Sequence, residues 1–268
     1  MVCAFQSFHG RTLATLAATG QPQKWDAFQP LPEGFRHVIW DDLDELEKNL
    51  DETVGAVLLE PVQGEGGVNP ASAEYFQGVE RLCRERGILF MVDEVQTGLG
   101  RTGRWFGFQH FGVSPDVVSM AKALGNGMPI GACWAKAEIA ASFKPGDHAT
   151  TYGGQPLATA AARSVLEIMR AIDAPTLADQ RGYQLTRSVM ALPDVVGVRG
   201  LGLLLAVELD GLDAPSVAAR CLAEGLVVNG VTPTALRMAP PLIIEDEHIA
   251  EAMALLGAAL AAERAVSA

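Results

Sequence analysis

Three things are missing from this sequence, a long uninterrupted hydrophobic stretch, a run of basic residues and a paired cysteine spacing, and each absence removes a class of function. The longest apolar run, residues 252–262, falls short of the ~18 residues that suggest a membrane span. It is rich in alanine and bounded by charges, and so reads as a terminal packed helix. The formal net charge of -12 argues against nucleic acid or an anionic membrane surface as partner. Any anionic small molecule must therefore be held by local groups. The four cysteines, Cys3, Cys83, Cys133 and Cys221, are scattered with no CxxC pair. They read as buried thiols in a reducing compartment, not as a disulfide framework or metal ligands. Five equally dispersed histidines add no metal-site pattern. Met1-Val2-Cys3-Ala4-Phe5 lacks the basic n-region of a secretory leader, which makes the cytoplasm the expected location. Gly125-Asn126-Gly127 and Gly200-Leu201-Gly202 both fall short of a full GxGxxG turn, which argues against nicotinamide binding.

What is present is a core-forming chain: 268 residues with 49% hydrophobic content, enough for a large domain and a small one. Ile88-Leu89-Phe90-Met91-Val92-Asp93-Glu94-Val95-Gln96 and Val117-Val118-Ser119-Met120-Ala121-Lys122 are short apolar runs that end abruptly in ionisable residues. A buried parallel strand looks like this when its carboxyl end opens into a ligand crevice. Ala56-Val57-Leu58-Leu59-Glu60 repeats the pattern, and the glycine-rich Pro61-Val62-Gln63-Gly64-Glu65-Gly66-Gly67 follows as a tight loop. Helical spacing over 75–86 links two of these strands by a right-handed crossover. Residues 41–50 and 157–172 also carry helical patterns. From about residue 175 shorter strands take over, at 195–209, 226–229 and 236–238, with a closing helix at 248–264. The expected class is α/β, with a mostly parallel sheet and helices on both faces in residues 1–174. Residues 175–268 are expected to form a small α+β domain.

A buried acid and a buried lysine at neighbouring strand tips suit pyridoxal phosphate. Lys122 would hold the cofactor as a Schiff base, and Asp93 would keep the pyridine nitrogen protonated so that the ring can accept electrons. In isolation a turn cap and a solvated lysine are the commoner reading of such residues, but the surrounding residues reverse those odds.

Asp93-Glu94-Val95-Gln96-Thr97-Gly98-Leu99-Gly100-Arg101-Thr102-Gly103, Ser114-Pro115-Asp116 and Ala121-Lys122-Ala123-Leu124-Gly125 resemble the signature of the class III pyridoxal-phosphate aminotransferases, a fold-type I family. The likeness is strongest to the acetylornithine and succinylornithine aminotransferase branch and runs over nearly the whole chain. It implies that Phe8 and Val95 cover opposite faces of the cofactor ring, that Gln96 bonds its phenolic oxygen and that Glu94 belongs to the same cofactor-binding group. Arg11 would grip a substrate carboxylate, a task suited to a planar bidentate guanidinium. In the family the residue matching Glu65 pairs with the one matching Arg237. Glu65 would neutralise Arg237 when the substrate has one carboxylate and release it when glutamate brings a second.

Asp147-His148-Ala149-Thr150-Thr151-Tyr152-Gly153-Gly154-Gln155-Pro156 is similar to the family's interface loop, with Ala149 replacing a glycine and Gln155 an asparagine. The likeness implies a homodimer with shared active sites, Thr151 reaching the partner's cofactor phosphate and Thr150 lying near the substrate. In the family, a segment like Val2–Phe5 stands about a third of the way in, after a phosphate-binding glycine loop that has no equivalent here. The chain is accordingly expected to start at an internal methionine of a longer protein or to be a truncated relative. The implied reaction moves a terminal amino group from acetylornithine or a similar ω-amino acid to 2-oxoglutarate. Ornithine, succinylornithine and 4-aminobutyrate remain open as donors, and an inactive fragment or dimerisation module is the competing class.

Overall fold

The apolar runs become strands and the segments of helical spacing become helices. In the computed structural model, which describes residues 1–267, the strands in chain order are β1 (Val2–Ala4), β2 (Arg36–Val38), β3 (Ala56–Leu59), β4 (Val62–Gln63), β5 (Asn69–Pro70), β6 (Leu89–Asp93), β7 (Val117–Met120), β8 (Ala132–Ala135), β9 (Val195–Leu201), β10 (Leu204–Leu209), β11 (Asn229–Gly230) and β12 (Ala235–Met238). The α-helices are α1 (Leu13–Ala18), α2 (Leu43–Lys48), α3 (Ala73–Arg86), α4 (Ala137–Ala140), α5 (Pro156–Ala171), α6 (Ala174–Val189), α7 (Ala214–Ala223) and α8 (Asp246–Ser267). Two compact units result. The first contains Met1–Pro61, Ala71–Leu99 and Phe106–Ile172; the second contains Val62–Pro70, Gly100–Trp105 and the chain from Asp173 onward. Two short segments from the middle of the sequence thus fold with the C-terminal unit, which composition alone does not signal.

The first unit is built on a six-stranded sheet in the order β2-β1-β3-β6-β7-β8. Its pairings are parallel as far as β7, and β8 runs antiparallel along the edge. Parallel neighbours need a crossover, and α3 supplies it between β3 and β6. Ser72 caps α3 by accepting from the Tyr75 amide at 3.2 Å. Gly87 ends the helix in the left-handed region at φ 68°, where a side chain would be strained. Between the caps, Tyr75, Phe76, Val79, Leu82 and Cys83 recur at helical spacing and are buried. The Phe76 ring meets Phe90 of β6 at a centroid distance of 5.7 Å and Phe111 at 4.7 Å. Cys133 departs from the expected burial: it is exposed because β8 is the sheet edge, whereas Cys3, Cys83 and Cys221 are buried, and all four are free thiols.

In the second unit β9 and β10 form a hairpin broken at Gly202, within an antiparallel sheet of order β11-β12-β10-β9. Leu203, Leu205 and Val207 are buried with residues of α6, α7 and α8, while Leu204 and Ala206, on the alternate face, cluster with Val62 and Val68 beside the β4–β5 hairpin. The strand expected at 226–229 shrinks to the two residues of β11. The cause is the end of α7: Gly225 takes φ 92°, and the Leu226 amide turns back to the Cys221 carbonyl at 2.8 Å. This closure spends a group that a longer strand would need. Among the described residues no helix is long and apolar enough to cross a membrane.

Phe76→Ala removes a fully buried ring from the first unit's core, and large-to-small changes of this kind cost about 3 to 5 kcal/mol. Urea unfolding should show that loss as a lowered midpoint; a midpoint that does not move would contradict the core assignment.

Candidate active site

Four neighbouring strands of the first unit, β1, β3, β6 and β7, carry chemistry at their carboxyl ends. After β1 the chain turns through Ser7, which is buried and accepts from the Gly20 amide at 3.0 Å. The turn is fixed further by the His9 amide, which donates to Thr19 Oγ1 at 2.9 Å, and by the Phe8 amide, which donates to Glu60 Oε2 at 3.1 Å. Glu60 is the residue immediately after β3. From β6, Asp93 accepts the Val95 amide on Oδ1 at 3.0 Å, and its Oδ2 lies 2.9 Å from His9 Nδ1. The side chains of His9 and Asp93 are 1% and 9% exposed, so this pair is withdrawn from water. Phe8, His9, Glu60 and Asp93 therefore form one connected cluster.

Lys122 lies three residues beyond Ser119, the residue that pairs with Asp93 in β6. It takes a left-handed φ of 36° and begins a 3-10 turn. Its charge acts on Glu60, which places it electrostatically within the same cluster. The sequence led to the expectation of a buried lysine, but Lys122 is exposed, because the turn carries it past the paired part of β7.

Glu60 is fully buried, and burial pushes its carboxyl up to about 7. The neighbouring His9 pulls it back, the Asp93 charge raises it further, and the Phe8 amide and Lys122 oppose that rise. Glu94 is likewise pushed up to about 7 by burial. Its carboxylate accepts Thr97 Oγ1 at 2.5 Å and the amides of Gly107 and Phe108 at 2.9 and 2.8 Å. Through these bonds the Glu94 side chain holds the loop that follows β6.

Residues able to receive a pyridine cofactor are present. His9 Nε2 is a buried polar atom with no hydrogen-bond partner among the described residues. Asp93 keeps lone pairs beyond its two contacts, since a carboxylate accepts about four bonds. Val95 and Gln96 are half-buried beside it. Phe8 presents a ring face to positive groups, with Lys24 Nζ 4.8 Å and the exposed Arg11 Cζ 5.5 Å from its centroid. This donor set, an acid, a lysine, an aromatic face and an amide side chain, fits a protonated heteroaromatic ring that carries an aldehyde and a phenolic oxygen. Thr150 and Thr151 are not joined to it by hydrogen bonds among the described residues. Both lie in a stretch, 141–157, that is exposed throughout, and Thr150 Oγ1 accepts the Gly153 amide at 3.1 Å.

In the second unit Arg237 of β12 donates to Glu65 Oε1 at 2.6 Å and to the Gly64 carbonyl at 3.1 Å. The two side chains are 12% and 35% exposed. Sequence reasoning assigned no role to Glu60 or His9. The acid at the end of β3 was a visible signal for Glu60, whereas His9 had none beyond its place between Phe8 and Arg11.

The family model for class-III aminotransferases matches residues 1–260. The chain is 47% identical over 261 residues to the acetylornithine aminotransferase of Gloeobacter violaceus, covering 96% of this chain and 65% of that protein. To the acetylornithine aminotransferase of Bacillus subtilis it is 42% identical over 271 residues, covering 100% of this chain and 70% of that protein. The chain thus spans about two thirds of the length of these relatives. Among solved structures, a transaminase from the marine bacterium Virgibacillus superposes with a TM-score of 0.93 at 29% identity, covering 100% of this chain and 68% of that one. The ornithine aminotransferase of Toxoplasma gondii, with partial occupancy of PLP at its active site, gives 0.90 at 33% identity, covering 98% and 65%.

The Glu60 carboxyl makes stability depend on pH. Unfolded, it loses its proton near its ordinary value of 4.5; folded, it keeps it to about 7. Between those values the folded state binds more protons, so this group's contribution falls as pH rises through the interval. Glu60→Gln should therefore flatten the decline in the denaturation midpoint from pH 5 to about 7. An unchanged decline would show that Glu60 does not hold the proton.

Proposed function

Because the chain belongs to the class-III aminotransferase family, we propose that it is a pyridoxal-phosphate-dependent transaminase of cytoplasmic amino-acid biosynthesis. It takes the terminal amino group of N-acetylornithine, or of a similar ω-amino acid, and passes it to 2-oxoglutarate. The products are a semialdehyde and glutamate, as in arginine biosynthesis. The observation that carries this reading is the cluster at the ends of β1, β3, β6 and β7: an acid tied to a buried histidine, a second buried acid, and a lysine on the next strand's turn.

When bound, pyridoxal phosphate supplies an electron sink for a carbanion at the substrate carbon. Asp93 holds a proton on the ring nitrogen, and the bond to His9 fixes the orientation of its carboxylate. Lys122 would hold the cofactor covalently and would serve as the general acid and base that moves a proton at the substrate carbon. Phe8 and Val95 would enclose the ring and Gln96 would donate to its phenolic oxygen, and Glu60 fixes the Phe8 backbone. Arg11 takes a substrate carboxylate. The first unit is the cofactor domain and the second the smaller domain, with the main division near residue 174. Each site is completed in a homodimer, where Thr151 donates to the phosphate in the partner and Thr150 lies near the substrate. The wholly exposed stretch 141–157, which includes Tyr152 at 82% exposure, supports that assignment.

Dual specificity follows from Glu65 and Arg237. A charge-assisted pair that is only partly withdrawn from water can be exchanged for an equivalent one at modest cost. Glu65 neutralises Arg237 while a donor with one carboxylate is bound and yields it to the second carboxylate of glutamate.

Purified protein mixed with pyridoxal phosphate should develop a visible absorbance band that acetylornithine bleaches, and Lys122→Ala should abolish it. A folded protein without such a band would favour the inactive-fragment alternative.

A further inference from the structure

The second unit carries another arginine on the turn that Arg237 touches. Ala206 of β10 pairs with Arg237 of β12 on one side and with Arg199 of β9 on the other, so the three residues form one row across the sheet. Residues directly opposed in antiparallel strands project from the same face. On that face Ala206 packs with Val62 and Val68. The two arginines therefore flank the seat of the β4–β5 hairpin.

Both bind its backbone. Arg237 holds the near end, through Glu65 Oε1 and the Gly64 carbonyl. Arg199 holds the far end: its Nε donates to the Gly67 carbonyl at 3.0 Å and to Asn69 Oδ1 at 3.1 Å, and its Nη2 also reaches the Gly67 carbonyl. Asn69 Nδ2 then donates to the Gly66 carbonyl at 2.9 Å. The remaining guanidinium nitrogen, Nη1, pairs with Glu208, which also accepts Thr234 Oγ1 at 3.0 Å.

The 64–67 turn contains three glycines, and Gly67 takes φ 120°, followed by Val68 at φ 55°. Such a backbone has little stiffness of its own. If it drifted when Glu65 let go, the Gly64 carbonyl would leave Arg237 and the guanidinium would lose its aim. We propose that Arg199 is a specificity-determining positioning residue. It clamps the 64–67 turn so that the Glu65 side chain alone moves when Arg237 accepts the second carboxylate of a dicarboxylic amino acid. This rests on the assignment of Glu65 and Arg237 as a carboxylate switch.

The test compares kcat and KM of the cofactor-loaded protein for glutamate and for acetylornithine across Arg199→Ala, Asn69→Ala, Glu208→Gln and Arg237→Ala. Asn69→Ala removes one anchor of the turn without touching an ion pair, and so serves if Arg199→Ala does not fold. Loss of charge-assisted bonds to the turn should raise the KM for glutamate about tenfold, with kcat and the acetylornithine KM within about twofold. Glu208→Gln should leave both donors within about twofold, because it spares every contact to the turn. If Arg199→Ala and Asn69→Ala leave the glutamate KM unchanged while Arg237→Ala raises it, or if Glu208→Gln impairs both donors as much as Arg199→Ala does, the clamp is refuted and the switch stands. If Arg237→Ala itself fails to single out glutamate, or no variant and no parent protein turns over, the switch falls and the clamp with it.

Discussion

Everything at the first unit's strand ends depends on how the buried Asp93 side chain is hydrogen-bonded away from water. A buried polar group is costly unless it is hydrogen-bonded. Asp93 meets that demand with the Val95 amide, from its own turn, and with His9 from the loop after β1. The parallel pairing of β1, β3 and β6 makes the meeting possible, since it brings the carboxyl ends of strands far apart in sequence to one edge. One consequence is that β1 must be followed by a turn held tightly enough to aim His9, and Ser7, Thr19 and Glu60 supply that hold. Another is that Glu60, enclosed beside Asp93, keeps its proton to about 7. Burial is the main cause of that rise, and the neighbouring Asp93 adds to it.

The second unit solves a different problem with similar means. Its sheet presents a small residue, Ala206, between two arginines, and the glycine-rich β4–β5 turn sits in the gap. The ion pairs there are partly exposed, so their contribution to stability is small. Their value lies in geometry: planar guanidinium groups grip carbonyl oxygens at fixed angles, and that gives direction to a glycine-rich segment that has none of its own.

Much of this was legible in the sequence. Apolar runs ending in Glu60, Asp93 and Lys122 announced β3, β6 and β7, and the class-III likeness paired Glu65 with Arg237, which the structure joins. The Glu65–Arg237 contact spans 172 positions, which no local pattern could have revealed. What stayed hidden has common physical causes. His9 and Arg199 act through partners brought together by sheet register, and register is not visible in one segment alone. Glu94 shares a motif with Asp93 but turns into its own loop, because both of its oxygens are satisfied there. The exposure of Lys122 and Cys133 follows from where strands end and which strand lies at the edge, and periodicity sets both poorly.

The central claim is that the strand-end cluster holds pyridoxal phosphate on one lysine. Its most direct test is to incubate the protein with the cofactor, reduce it with borohydride and map the modified peptides by mass spectrometry. The account predicts a pyridoxyl adduct on the peptide containing Lys122, with Lys24, Lys48, Lys136 and Lys144 unmodified. An adduct spread over those lysines, or absent from Lys122, would contradict it.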